Sequence, residues 1–235
     1  MKTIIFKGVL INIFLLLVAA CSKMNDVHDQ YLREGEILYI GRLDSARILP
    51  GNERFLLRYW ITDPRSKNLI IYWRQKQDSI LVTVPKHHPL DSIDIIIGNE
   101  QGKIPEGSHT FQLVCTNGKG LSSMVFEKIG NIYGQQFAQT LSARKINKTS
   151  FDPTLSKVNI DWGISSSNKE IGVEIQYADL AGEQVLIKIP NKEMKDPTIL
   201  TSVDITKNIS YRTMFLPEVM AIDTFYTDNQ AILLP

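Results

Sequence analysis

A chain of 235 residues suits one or two domains on a prior of roughly 100–200 residues each, and 43% hydrophobic against 22% charged residues is the balance of a protein that buries a core. The formal net charge of +1 supplies no field to draw in a phosphate backbone and no stretch concentrates Lys and Arg, so nucleic acid is excluded as a partner class. The two cysteines, Cys21 and Cys115, stand in segments of different character, which excludes an intrachain disulfide framework.

From the N-terminus, Lys2 and Lys7 flank the start of an apolar run, Val9–Ala20, shorter than the about 20 residues that cross a bilayer. The run ends in Leu17-Val18-Ala19-Ala20-Cys21: a small residue before a cysteine, and an aliphatic residue three before it. This resembles the lipobox of bacterial lipoprotein signal peptides. The resemblance implies that residues 1–20 are a leader cleaved before Cys21, and that the Cys21 thiol and new amino group carry lipid. One myristoyl chain binds a membrane only marginally, with K on the order of 10⁴ M⁻¹; the two or three chains of such a cysteine would hold the protein more or less permanently. The membrane, reached through this anchor, is the first expected partner. Residues 21–38 read as a lipidated tether with a short helix, since Met24, Val27, His28, Tyr31 and Leu32 fall at helical spacing. Ser22-Lys23 followed by Asp26 and Asp29 is compatible with export to the outer membrane, on either face.

Beyond the tether the pattern is β to the end. Candidate strands are Glu36–Ile40, Ala46–Leu49, Arg54–Ile61, Leu69–Arg74, Ser79–Val84, Ser92–Ile97, His109–Thr116 and Met124–Ile129, parted by turn signals such as Pro50-Gly51-Asn52 and Asn117-Gly118-Lys119-Gly120. Strands this short and this closely spaced leave no room for the crossover helices of a parallel sheet, so the expectation is an all-β sandwich. Cys115 ends the alternating run Phe111–Cys115 and is expected to be a small buried hydrophobe.

The chain also repeats. The hairpin-like Asn68–Pro85 is echoed by Val173–Pro190, with Tyr72 matching Tyr177; Ser45-Ala46-Arg47 returns as Ser142-Ala143-Arg144, and Trp60 as Trp162. Gly130-Asn131-Ile132-Tyr133-Gly134 marks the restart, which sets two modules, residues 39–129 and 130–235. The order of features in each resembles fibronectin type III domains: a core Trp ending the second strand, a Tyr on the third, and a Pro/Gly turn before the sixth. By that resemblance Trp60 and Tyr72 are core residues of the first module, Trp162 and Tyr177 of the second. The corner tyrosine is Tyr211 in the second module, while His109 stands in its place in the first. The whole chain, from the leader through the Ile71–Pro85 segment and the Gly130–Gly134 joint, is similar to the lipoproteins of gut-dwelling Bacteroidota that carry the domain of unknown function 4998. That likeness implies a cell-envelope lipoprotein with fibronectin-like modules, in a lineage that uses many such proteins in glycan capture.

Reaction chemistry finds no footing. Adjacent His87 and His88 on an extended loop point apart, and Asp63, Asp91 and Asp94 lack single-loop calcium spacing, so no metal and no cofactor are expected. No nucleophile elbow, phosphate loop or dinucleotide fingerprint occurs, and a sandwich offers no deep cleft for a carboxylate pair, so no catalytic residue is assigned. The remaining constellation is aromatic. With Tyr72 turned inward like Tyr177, Trp73 is expected to face solvent beside Arg74 and Tyr59, a candidate surface for a glycan or another envelope protein. The expected role is a non-catalytic envelope module that binds or presents, an accessory to glycan acquisition. The alternative is an adhesive or structural spacer that touches protein partners only.

Overall fold

Period-two alternation builds the first sandwich. In β2 (Phe55–Trp60) the inward side chains are Phe55, Leu57 and Tyr59; in β3 (Asn68–Trp73) they are Leu69, Ile71 and Trp73. In β6 (Gly107–Thr116) they are Phe111, Leu113 and Cys115, because successive side chains of an extended strand project to opposite faces. β1 (Ser45–Pro50) and β5 (Ile93–Ile97) flank β2 in a three-stranded antiparallel sheet. Against it packs a four-stranded sheet in which β4 (Asp78–Thr83), β3, β6 and β7 (Phe126–Ile132) follow one another.

The computed structural model describes residues 38–98, 102–194 and 197–235. The leader, Cys21 and the tether helix expected from the sequence lie outside these residues, as do Glu36 and Ile37 of the expected strand Glu36–Ile40. Ile40 to Pro235 form one compact unit.

The second sandwich uses the same strand order. β8 (Ile146–Asp152), β9 (Lys157–Trp162) and β12 (Thr198–Leu200) make the three-stranded sheet, with β9 central. β11 (Gln184–Pro190), β10 (Glu170–Ala178) and β13 (Ser210–Phe215) make the other. Its last position is filled by two short pieces, β14 (Phe225–Tyr226) and β15 (Gln230–Ala231), which pair with β13 in turn. Each sandwich keeps its own core, one centred on Phe55, Phe111 and Ile71, the other on Val158, Val173 and Trp162. The chain is all-β, with two tandem fibronectin type III-like sandwiches, as its alternation and turn chemistry imply.

The frame of the repeat differs from the expectation in three places. The division at Gly130 falls inside β7, which runs on to Ile132, and Ile132 is buried in the first core. Trp60 lies half-buried on the outer face of its sheet, with the Arg47 guanidinium 5.8 Å from its ring centre; the core aromatic is its neighbour Tyr59. Tyr72 also faces outward, under the Lys76 ammonium at 5.6 Å, and the inward counterpart of Tyr177 is Trp73. The cause is hairpin length. β3 and β4 close over a four-residue turn after the pair Trp73–Asp78, whereas β10 and β11 add the pair Ala178–Gln184 and a five-residue turn. Matching the two by their terminal prolines therefore slips one arm by a residue, and a slip of one exchanges the faces.

Candidate functional site

The residues expected to form an exposed aromatic surface do not share one. Trp73 is 8% exposed and Tyr59 1%, both inside the first core. Burial pushes the Tyr59 phenol up to about 12. The Trp73 indole N–H is buried with no acceptor among the described residues. Arg74 alone is exposed, on the β3–β4 turn, where its backbone is left-handed (φ 49°) and its guanidinium donates to Asp78 Oδ2 at 3.0 Å. The outward placement of Trp73 is thus corrected: its face is covered by the opposing sheet.

Other singled-out residues serve the fold. Cys115 is fully buried, and desolvation pushes its thiol up to about 11, so it is a packing residue. His109 Nε2 lies 2.7 Å from the Pro105 carbonyl oxygen, four residues upstream, and so makes the corner contact expected of a tyrosine. Tyr211 does not sit at a corner. It lies opposite Ile175 as Leu113 lies opposite Ile71, and its hydroxyl donates to the Arg144 carbonyl at 2.6 Å.

His87 is more tightly held than a solvated turn residue. Its Nε2 is 2.8 Å from the Ile61 carbonyl oxygen and its Nδ1 2.9 Å from that of Pro85. Two acceptors ask for two donors, which only the imidazolium supplies. The Ile61 and Pro85 carbonyls, with Asp91 nearby, therefore raise its pKa. A raised folded-state pKa means that this contact stabilises fully below the unfolded value of about 6.5 and is lost as pH rises through the folded value. An NMR titration is expected to place the His87 midpoint above the unfolded value of about 6.5; a midpoint at or below it would show that the two carbonyls do not favour the imidazolium.

The most heavily built polar and aromatic cluster lies where the two sandwiches meet. The β1–β2 turn of the first presents Gly51, Asn52 and Arg54 to the β13–β14 loop of the second, residues 216–224. Arg54 Nε donates to Asp223 Oδ2 at 2.8 Å, and its other arm reaches Oδ1. The Asn52 N–H donates to the same carboxylate at 2.8 Å, and the Ile222 N–H to the Pro50 carbonyl at 2.8 Å. The Arg54 bonds hold the Asp223 carboxyl below the usual carboxylate range. On the other side of the loop, Glu218 Oε1 accepts from Asn131 Nδ2 and from the Tyr133 hydroxyl, each at 3.0 Å. Burial, with Glu218 as its acceptor, pushes the Tyr133 phenol up to about 12.

Between these clamps runs the linker, a five-residue helix α1 (Gln135–Gln139). Glu106 of the first sandwich accepts the Gln136 and Phe137 N–H groups at 2.8 Å each, satisfying donors that a helix start leaves open. Phe137 stacks edge-on against Tyr133 at 5.0 Å and Phe225 at 5.1 Å, and the Lys169 ammonium sits 5.1 Å from the Phe137 ring and 5.7 Å from Tyr133. Gly51 makes the close approach feasible: a Cβ there would lie 2.5 Å from Asp223 Oδ2 and 2.8 Å from Ile222 Cγ1. None of this was expected from the sequence. Its only signals were the Gly130–Gly134 restart and the turn around Gly51.

Among the described residues no group of three or more His, Cys, Asp or Glu is placed to hold a metal ion, and no helix is long and apolar enough to cross a membrane.

Three-on-four antiparallel sandwiches repeated in tandem and locked by a polar and aromatic joint define a fibronectin type III-like tandem-module protein. Within that class the chain belongs to the family of the domain of unknown function 4998, whose model matches residues 21–225. No curated protein matches it. Among solved structures it is similar to the FN1–FN3 domains of chicken CNTN1, at 10% identity and a TM-score of 0.43, covering 82% of this chain and 64% of that one. It is also similar to a two fibronectin type III domain segment of chicken tenascin, at 13% identity and a TM-score of 0.31, covering 82% of this chain and 98% of that one. The chain therefore spans 64% of the length of the first.

Proposed function

We propose that this protein is a non-catalytic, lipid-anchored arm of the cell envelope that holds two sandwiches in one orientation and presents their surface to protein partners. The observation that carries the reading is the joint: a charge clamp, a shared carboxylate, a capped linker helix and three interlocked rings are more than a flexible linker needs. Rigid presentation lowers the ordering cost that a partner meets on binding. Spin labels at exposed Thr83→Cys and Lys148→Cys are expected to give one narrow distance distribution. Gly51→Ala, which forces Asp223 and Ile222 away, or Asp223→Ala, which removes the clamp, is expected to broaden it while both sandwiches stay folded. A broad distribution in the parent protein would end the rigid-arm reading.

The anchor is part of the proposal and is supported by the residues preceding Cys21. Cys21→Ala is expected to move the protein from the membrane pellet to the soluble fraction; an unchanged pellet would remove the anchor. A second reading, an accessory to glycan acquisition at the outer membrane, is supported by Trp60, the first sandwich's outward-facing indole, with Arg47 over its ring. Glycan-array binding that disappears in Trp60→Ala would favour it.

A further inference from the structure

We infer that the groove beside the joint is a docking site for an acidic, apolar peptide segment of a partner protein. The groove, of about 540 Å³, is lined by Arg47 and Ile48–Pro50 of β1, Lys128 of β7, and Glu218, Val219 and Met220 of the β13–β14 loop. This deepens the presenting-arm reading and rests on it, since the groove has walls from both sandwiches and exists only while the joint is closed.

The loop shows its apolar residues under constraint. Val219 is 96% exposed and Met220 48%. A loose loop could fold such side chains away; this one is fastened on both sides of them. Glu218 is held by Asn131 and Tyr133 just before, and Ile222 and Asp223 are held by Pro50, Asn52 and Arg54 just after. The pair is therefore pre-ordered for contact, and covering it removes apolar surface from water.

The charges choose the occupant. Arg47 lies directly opposite Arg58 across β1 and β2, a like-charge pair that disfavours the sheet. Arg58 is neutralised by a two-bond contact with Asp94, at 2.8 and 2.7 Å. Among the described residues neither Arg47 nor Lys128 has a carboxylate partner. The groove's own carboxylate, Glu218, is already taken. Two cations without carboxylate partners beside an apolar floor fit carboxylates flanking apolar side chains, and no aromatic ring is among the groove-lining residues for a sugar to stack upon.

The test is panning of short random peptides displayed on phage against the full chain, with counter-selection on the Arg47→Glu/Val219→Asp variant. Both positions are exposed, so that variant is expected to fold. Acidic peptides with apolar residues should be enriched, and one made synthetically should lose roughly tenfold or more in affinity with either single substitution and weaken as salt rises. Asp223→Ala, whose hydrogen-bond partners Asn52 and Arg54 do not line the groove, should weaken it too, because it opens the joint. The inference is overturned if no peptide distinguishes the parent from the variant, if the enriched peptides are basic, or if an acidic oligosaccharide on a glycan array binds in their place and is lost with the same substitutions. A narrow spin-label distribution alongside empty panning would remove the groove and leave the arm standing.

Discussion

Trp73→Ala is expected to destabilise the first sandwich by about 3–5 kcal/mol, the usual cost of emptying a large aromatic site in a core. Domains of this size hold only about 5–15 kcal/mol in all, so a large share of the first sandwich's stability would go. The indole is buried in the first core, where a close-packed surround collapses only partly into the space an alanine would leave. Trp73→Phe separates shape from polarity. It loses some apolar area, but it also removes a buried N–H without an acceptor, a group whose desolvation costs about 1–3 kcal/mol. It is therefore expected to be much milder than alanine. Urea denaturation followed by circular dichroism reads both variants. A Trp73→Ala protein as stable as the parent, yet deficient in binding, would return Trp73 to the surface role that its sequence context suggested.

The second large effect is expected at Arg144, which fastens the start of the second sandwich. Its side chain is 13% exposed and the Glu170 side chain it pairs with is 0% exposed. Arg144 Nη1 donates to Glu170 Oε1 at 3.0 Å and to Asn191 Oδ1 at 2.8 Å, and Nε to the Gly163 carbonyl at 2.9 Å. Three separate elements thus close on one guanidinium. Removing it as Arg144→Met leaves a buried carboxylate uncompensated, which is expected to cost about 3–5 kcal/mol. The double variant Arg144→Met/Glu170→Leu should regain most of that loss, because replacing both members of a buried pair by apolar groups of similar volume is often neutral. A thermal melt of the three proteins decides. If the double variant is no better than the single one, the damage lies in lost packing and in the Gly163 and Asn191 bonds instead of the stranded charge.

Arg144 also shows how far a repeat in sequence can be read. Ser45-Ala46-Arg47 and Ser142-Ala143-Arg144 look equivalent, yet Arg47 is an exposed cation beside the groove and Arg144 a buried clamp. The difference lies in what faces them: Glu170 is brought to Arg144 from 26 residues away, while Arg58 lies opposite Arg47 and Asp94 is occupied with Arg58. Local motif likeness carries no information about those partners.

Alternation, turn residues and the order of the echoes were sufficient by themselves to determine that this chain is all-β, that it folds twice into the same arrangement, and where most strands run. Those properties arise from neighbours a few residues apart. Period two says which side chains share a face, but the covering sheet decides which face is inside, and for β2 and β3 that decision moved Tyr59 and Trp73 inward and Trp60 and Tyr72 outward. The joint depended wholly on tertiary structure. Arg54 and Asp223 are 169 residues apart, and Asn131 and Glu218 87 apart. Their pairing exists only once both sandwiches have folded and docked, so no pattern along the chain could announce it.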